Sequence, residues 1–181
     1  MMISETSQGQ PSPSRWVVDN MHLVSPGCHA LDLACGGGRH GRLLHSLGHS
    51  VVFLDLDIKG VADMTGLVGC EVIQADLEAG GAWPLPPGEF GLVVVTNYLY
   101  RPLFPGILSS LMPGGVLIYE TFARGNERFG RPANPDFLLD RGELKELCLE
   151  QLDIVRFEDL VVGRPGLARV QRLVARKPDS R

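Results

Sequence analysis

The run Leu31-Asp32-Leu33-Ala34-Cys35-Gly36-Gly37-Gly38-Arg39-His40-Gly41 holds the residue types and spacings in this sequence that come closest to a binding site. An apolar stretch ends in glycines and leads into a segment of helical spacing. Glycines at such a turn let the backbone fold tightly, and let a ligand lie against main-chain N–H groups with no Cβ in the way. Gly36, Gly38 and Gly41 satisfy GxGxxG, which taken alone points to a dinucleotide. Asp32, four residues before Gly36, shifts that reading, because a carboxylate inside the strand suits a cationic ligand near the turn and repels a pyrophosphate.

With Asp32, Ala34, Gly36 and Gly38 in order, the run resembles the first motif of the class I S-adenosylmethionine-dependent methyltransferases, D-x-G/A-x-G-x-G, Ala34 standing in place of the first glycine. The resemblance implies that Asp32 holds the methionine end of the cofactor and that the glycine backbone passes beneath it. It further implies that Asp55, nineteen residues after Gly36 and followed by Leu56, accepts from both ribose hydroxyls. Asp76 falls at the family position that accepts from the adenine amino group, and Leu77 offers a backbone N–H and an apolar contact. The resemblance also implies that Thr96 and Asn97 meet the cofactor's amino group through backbone carbonyls beside the transferable methyl, and that Tyr98 walls the substrate pocket. The resemblance spans Cys28 to Lys177. Compact size and the lack of an inserted recognition domain are most similar to the tellurite-resistance-type and related small-molecule enzymes of bacteria. Asn97 is followed by Tyr-Leu-Tyr, so the NPPY-type signature of adenine and glutamine N-methyltransferases is absent. Each residue also has a plainer reading: a turn that merely joins strand to helix for the glycines, a turn residue for Asp76, a solvent-facing helix cap for Asp57, packing for Tyr98 and Tyr100.

The elements that must position these residues are short apolar runs bounded by turn residues. His29 to Ala34, Ser50 to Asp55, Cys70 to Ala75, Gly91 to Thr96, Gly115 to Thr121 and Leu152 to Leu160 read as strands, and Ala168 to Arg176 alternates as a strand at or near a sheet edge does. Helical spacing appears over Arg39 to Leu47, Ile58 to Leu67, Leu99 to Leu111 and Arg141 to Gln151, the last opening on Asp140 as N-cap. This alternation predicts an α/β fold, a doubly wound Rossmann-like sheet of about seven mostly parallel strands with helices on both faces and the last strand antiparallel. Such sheets bind ligands outside the carboxyl ends of their strands, where the strand order reverses. The eighteen residues from Ala123 to Asp140 follow a strand with little pattern of their own, and loops that long inside compact domains are commonly functional.

Methyl transfer from a sulfonium needs alignment of a nucleophile and exclusion of water, and demands no metal. His22, His29, His40, His45 and His49 show no ligand spacing, so no metal site is expected, and His40 reads as a partly exposed surface residue. If the acceptor must lose a proton, the candidate bases at strand ends are Tyr98, Tyr119 and Glu120. Alternation places Tyr119 and Thr121 on one face and Glu120 on the other. Tyr98, Arg101, Arg124 and Phe129 are the candidate substrate contacts, with Arg128, Arg131, Asn126, Asn134 and Phe137 spaced along the same loop, a mixture suited to an anionic or aromatic acceptor.

The whole chain has 181 residues, 44% hydrophobic and 21% charged, in the proportions of a globular domain. Residues 1–15 read as a disordered leader and 16–181 as one domain. Seventeen Lys and Arg against twenty-one Asp and Glu give a net charge of −4, which argues against nucleic acid as a partner. No apolar run is long enough to span a bilayer and no secretory signal is evident, so a cytoplasmic protein is expected. Cys28, Cys35, Cys70 and Cys148 form no CxxC pair and read as free thiols. Nothing bears on the oligomeric state. Three functional readings follow: a methyltransferase acting on a small-molecule acceptor, a non-catalytic S-adenosylmethionine-binding or interaction protein, and a nicotinamide-dependent oxidoreductase, against which Asp32 and Asp76 count.

Overall fold

In the central strands residues alternate between two faces that are both buried. In the computed structural model, which describes residues 11–163 and 166–179, strand β1 (His29–Leu33) sends Ala30 and Asp32 to one face and Leu31 and Leu33 to the other. Strands β2 (Ser50–Asp55), β3 (Cys70–Gln74), β4 (Phe90–Thr96), β5 (Leu111–Phe122), β6 (Asp153–Val162) and β7 (Ala168–Arg176) complete one sheet in the order β3-β2-β1-β4-β5-β7-β6. β1 to β5 pair parallel, and β7 runs antiparallel to both of its neighbours. The expected doubly wound sheet with an antiparallel last strand is therefore present. The strand order reverses at β1, between β2 and β4, so the crevice where ligands bind in such sheets lies over the glycine turn.

Helices α1 (Arg15–Asn20) and α2 (Arg39–Ser46) cover one face, where Trp16, Val17 and Leu44 pack with Phe53, Val94 and Ile118. Helices α3 (Phe104–Ser110) and α4 (Glu143–Glu146) cover the other, where Ile107, Leu108 and Leu144 pack with Val93, Leu117 and Tyr119. Trp16 is also held between the guanidinium groups of Arg156 and Arg172, 4.8 and 4.7 Å from its ring.

Three expected helices come out shorter, for local reasons. Ile58 to Leu67 forms only a 3₁₀ turn at Lys59–Met64, with Val61 and Met64 inward, because Gly60 and Gly66 weaken a helix. Leu99 to Leu111 divides into a 3₁₀ turn at Arg101–Leu103 and α3, with Pro102 and Pro105 near the two starts, where a missing N–H is harmless. Arg141 to Gln151 is α-helical over α4 alone. Its N-cap is Gly142 at φ +75°, and the Asp140 side chain, read as the cap, instead pairs with Arg124. β5 begins earlier than expected because a register shift between Phe90 and Leu92 carries the chain from Leu111 through Pro113-Gly114-Gly115 into the ladder. Of the leader expected over residues 1–15, residues 1–10 lie outside the described residues. At its end Ser14 caps α1 by accepting from the Trp16 N–H, and Arg15 already belongs to the helix.

Candidate functional site

Where β1 ends, the backbone enters the left-handed region at Ala34 (φ +52°), and again at Gly36 and Gly38 (φ +54° and +72°). Ala34 therefore adopts a conformation that glycine takes without strain, which gives physical content to the glycine usual at that motif position. A Cβ on Gly36 or Gly37 would meet open space, and neither these glycines nor Gly38 line the cavity, which the turn reaches through Ala34. Asp55, at the end of β2, accepts the Gly36 N–H at 2.8 Å through one oxygen and the Asp57 N–H at 3.0 Å through the other. Each oxygen keeps a second lone pair. Asp76 accepts the Glu78 N–H at 2.9 Å and is exposed. Ala34, Asp55, Leu56, Ala75, Asp76, Leu77, Glu78 and Tyr98 line one cavity of about 380 Å³. The structure thus brings together five of the residues expected around a cofactor, from the ends of three strands.

Asp32 lies elsewhere in this arrangement. It is buried beneath the turn and accepts the Gly41 N–H at 2.7 Å, tying β1 to the first turn of α2. Burial pushes its carboxyl up to about 7, against the lowering effects of that N–H and of the Arg39 charge. His40, expected near the surface, is buried, because the segment before α1 crosses over it. Its Nε2 accepts the Ser14 N–H at 3.0 Å, which leaves the proton on Nδ1, 3.4 Å from Thr96 Oγ1. Burial lowers its pKa to about 4, so the ring is neutral at pH 7. Thr96 Oγ1 thus faces His40 of α2, and Asn97, next along the chain, is left-handed at φ +56°.

A second cavity of about 240 Å³ adjoins the first, lined by Glu78, Asn97, Tyr98, Leu99, Thr121, Phe122, Pro132 and Phe137. Glu78 and Tyr98 stand in the walls of both. Tyr98 therefore stands between the two cavities. Burial and the nearby Glu78 carboxylate raise its pKa above the ordinary phenol value, so it stays protonated and acts as a donor or an apolar wall.

Other expected residues are not brought to these cavities, each because tertiary contacts claim it. Tyr119 is fully buried and donates its hydroxyl to the Tyr98 carbonyl at 2.8 Å, with its pKa driven upward by burial, so it is no base. Glu120 points to the opposite face, accepting from Ser14 Oγ at 2.7 Å and facing Arg172 at 3.4 Å. Arg101 is clamped by Glu143 at 2.5 and 2.9 Å and by the carbonyls of Asp136 and Leu138. Arg124 pairs with Asp140. Phe129 is exposed and lines neither cavity. Phe137, expected among the acceptor-binding groups of the loop, lines the smaller cavity, whereas Glu78, Leu99, Thr121, Phe122 and Pro132 line it without having been expected at a site. Glu78 stands two residues after Asp76, and Pro132 and Phe137 lie in the patternless loop, which were the available signals.

Among the described residues no three His, Cys, Asp or Glu side chains cluster as metal ligands, and no helix is long and apolar enough to cross a membrane. No family model matches the chain. By sequence it is 32% identical over 119 residues to the ubiquinone biosynthesis O-methyltransferase of Burkholderia vietnamiensis, a match covering 60% of this chain and 50% of that protein. The chain spans about half the length of the curated relatives it matches. By structure it is similar to TehB from Haemophilus influenzae, with a TM-score of 0.74 and 19% identity over 89% of this chain and 61% of that one. An S-adenosylmethionine-dependent methyltransferase from Mesorhizobium loti superposes with a TM-score of 0.69 and 18% identity, covering 88% of this chain and 96% of the other. These structural likenesses are ones of fold.

Proposed function

We propose that this chain, which has the fold of the class I S-adenosylmethionine-dependent methyltransferases, binds S-adenosylmethionine at the ends of β1, β2 and β3 and passes its methyl group to a small-molecule acceptor. One observation carries the reading: the carboxylates of Asp55 and Asp76, both with lone pairs to spare, open onto a single cavity beside bare glycine backbone. That donor and acceptor set fits the cofactor. Asp55 would take the ribose hydroxyls, Asp76 the adenine amino group, and Leu56 and Leu77 the faces of the adenine ring. When bound, the cofactor supplies a methyl carbon that accepts the acceptor's lone pair as its bond to sulfur breaks and those electrons stay on sulfur. The protein's part is alignment and exclusion of water. Tyr98 and Glu78 line both cavities, with Asn97 on the inner wall of the smaller one, and Glu78 is the carboxylate placed to take a proton that a hydroxyl acceptor must lose. The same reading places the protein in the cytoplasm, with its four cysteines free thiols.

A thermal-shift titration tests it. S-adenosylmethionine and S-adenosylhomocysteine at about 100 times their dissociation constants should each stabilise the fold by about 2.7 kcal/mol, and NAD should not. Asp55→Ala should lose most of that shift, while Asp55→Asn, which keeps one acceptor oxygen, should lose less. Stabilisation by NAD alone, or by none of the three, would refute the reading.

A further inference from the structure

Pro132 and Phe137 belong to two cavities at once. They wall the 240 Å³ cavity beside Tyr98, and with Arg131, Ala133 and Asn134 they line an outer cavity of about 540 Å³ on the long loop, wide open to solvent. The chemistry of the two halves differs. The inner half is mainly apolar, from Tyr98, Leu99, Phe122, Pro132 and Phe137, and its one carboxylate, Glu78, stands on the side shared with the cofactor cavity. The outer half contains no acidic group.

Among the arginines on or beside this loop, Arg101 and Arg124 are neutralised by Glu143 and Asp140, and Arg128 is exposed but lines neither cavity. Arg131 has no hydrogen-bond or ion-pair partner among the described residues and is exposed at the outer cavity. Asn134 accepts the Asp136 N–H at 3.0 Å with its carbonyl oxygen, which leaves its NH₂ group as a donor on the same wall. Between the halves stands Phe137, 47% exposed, a large aromatic ring beside two cavities with much of its surface uncovered. An unpaired guanidinium, a spare amide donor and an uncovered ring along one path are the groups that an aromatic ligand with an anionic substituent would pair.

Resting on the methyltransferase reading, we propose that these two cavities form the acceptor site and that the acceptor is an aromatic anion. Its ring lies on Phe137, its carboxylate or equivalent anionic group meets Arg131 and Asn134, and its nucleophilic group points inward to Tyr98 and Glu78. With a hydroxyl as that group, the oxygen lone pair forms the bond to the methyl carbon, the carbon–sulfur pair remains on sulfur, and the hydroxyl proton passes to Glu78. Arg131 is then a specificity residue, selecting the acceptor without touching the reacting atoms.

The test uses the full chain saturated with S-adenosylhomocysteine and calorimetric titration of 4-hydroxybenzoate against its neutral counterpart 4-hydroxybenzamide. The anion should bind at least tenfold more tightly, and added salt should narrow the gap. Arg131→Gln should weaken 4-hydroxybenzoate about tenfold, leave 4-hydroxybenzamide unchanged and leave S-adenosylhomocysteine affinity intact, while Arg128→Gln, which lies outside both cavities, should change neither. Equal binding of the two probes, an Arg131→Gln variant that keeps the preference, or no binding of either probe would overturn the acceptor class. Failure of S-adenosylhomocysteine itself to bind would instead refute the methyltransferase reading, so the two failures are told apart in one experiment.

Discussion

Gly41→Ala is expected to destabilise the protein by about 2 to 3 kcal/mol, a fall in melting temperature of roughly 5 to 10 °C for a chain of this size. Gly41 is in the first turn of α2, and an alanine inside a helix is ordinarily better than glycine by up to about 1 kcal/mol. Here the sign reverses, because a Cβ on Gly41 would fall 2.2 Å from Cε1 of Phe53 and 2.7 Å from its Cδ1 and Cζ. Phe53 is fully buried on β2, and a Cβ on Gly38 would also crowd the same ring, so neither partner can give way without lifting α2 from the sheet. The Gly41 N–H that Asp32 accepts would move with it, and the glycine turn would loosen at its base. Chemical denaturation of the wild type, Gly41→Ala, Phe53→Leu and the double variant checks this: replacing the ring with a smaller aliphatic side chain relieves the clash, so the double variant should lose less than the sum of the single ones. A Gly41→Ala protein as stable as the wild type, or strictly additive losses, would remove close approach as the reason for this glycine.

The same contact shows what could be read from the sequence and what could not. That Gly36, Gly38 and Gly41 sit at the end of a strand and the start of a helix follows from local pattern, and so do the strands themselves, because alternation and apolar runs are short-range signals. Asp55 and Asp76 reach one cavity because each ends or follows a parallel strand, and parallel neighbours end on the same side. The opposite directions of Tyr119 and Glu120 were likewise legible from strand alternation. What was not legible depends on residues far apart in the chain. Nothing near Arg101 or Arg124 announces that Glu143 and Asp140 will neutralise them. Nothing near His40 announces that Ser14 will cover it. The charged loop therefore looked equally rich in binding groups along its length, and pairing together with position separates Arg131, free at the outer cavity, from Arg101 and Arg124, which the fold uses, and from Arg128, which lines neither cavity.

At pH 8 Asp32→Asn is expected to be more stable than the wild type, by about 3 to 4 kcal/mol relative to the same comparison at pH 4. The Asp32 carboxyl is buried, and burial holds its pKa near 7 in the folded protein against an ordinary value of 3.8. Below about pH 4 both folded and unfolded chains carry the proton. Between about 4 and 7 the folded chain keeps a proton that the unfolded chain has released, so stability falls as pH rises, and above 7 the loss is complete. Asparagine stays neutral throughout while its carbonyl oxygen still accepts the Gly41 N–H, so the variant lacks this pH slope. Urea unfolding at pH 5, 6, 7 and 8 measures it, and parallel slopes in the two proteins would mean that Asp32 is ionised across the range. The consequence reaches the proposed function, because an unpaired buried carboxylate costs the empty protein stability above pH 7 and a positively charged ligand over the glycine turn returns part of it. The advantage of Asp32→Asn at pH 8 should accordingly shrink when saturating S-adenosylmethionine is present, and the wild type should bind that ligand more tightly as pH rises from 6 to 8 whereas the variant should not. An acid placed inside a strand at an energetic cost to the empty fold is then accounted for by the charge of what the fold is built to hold.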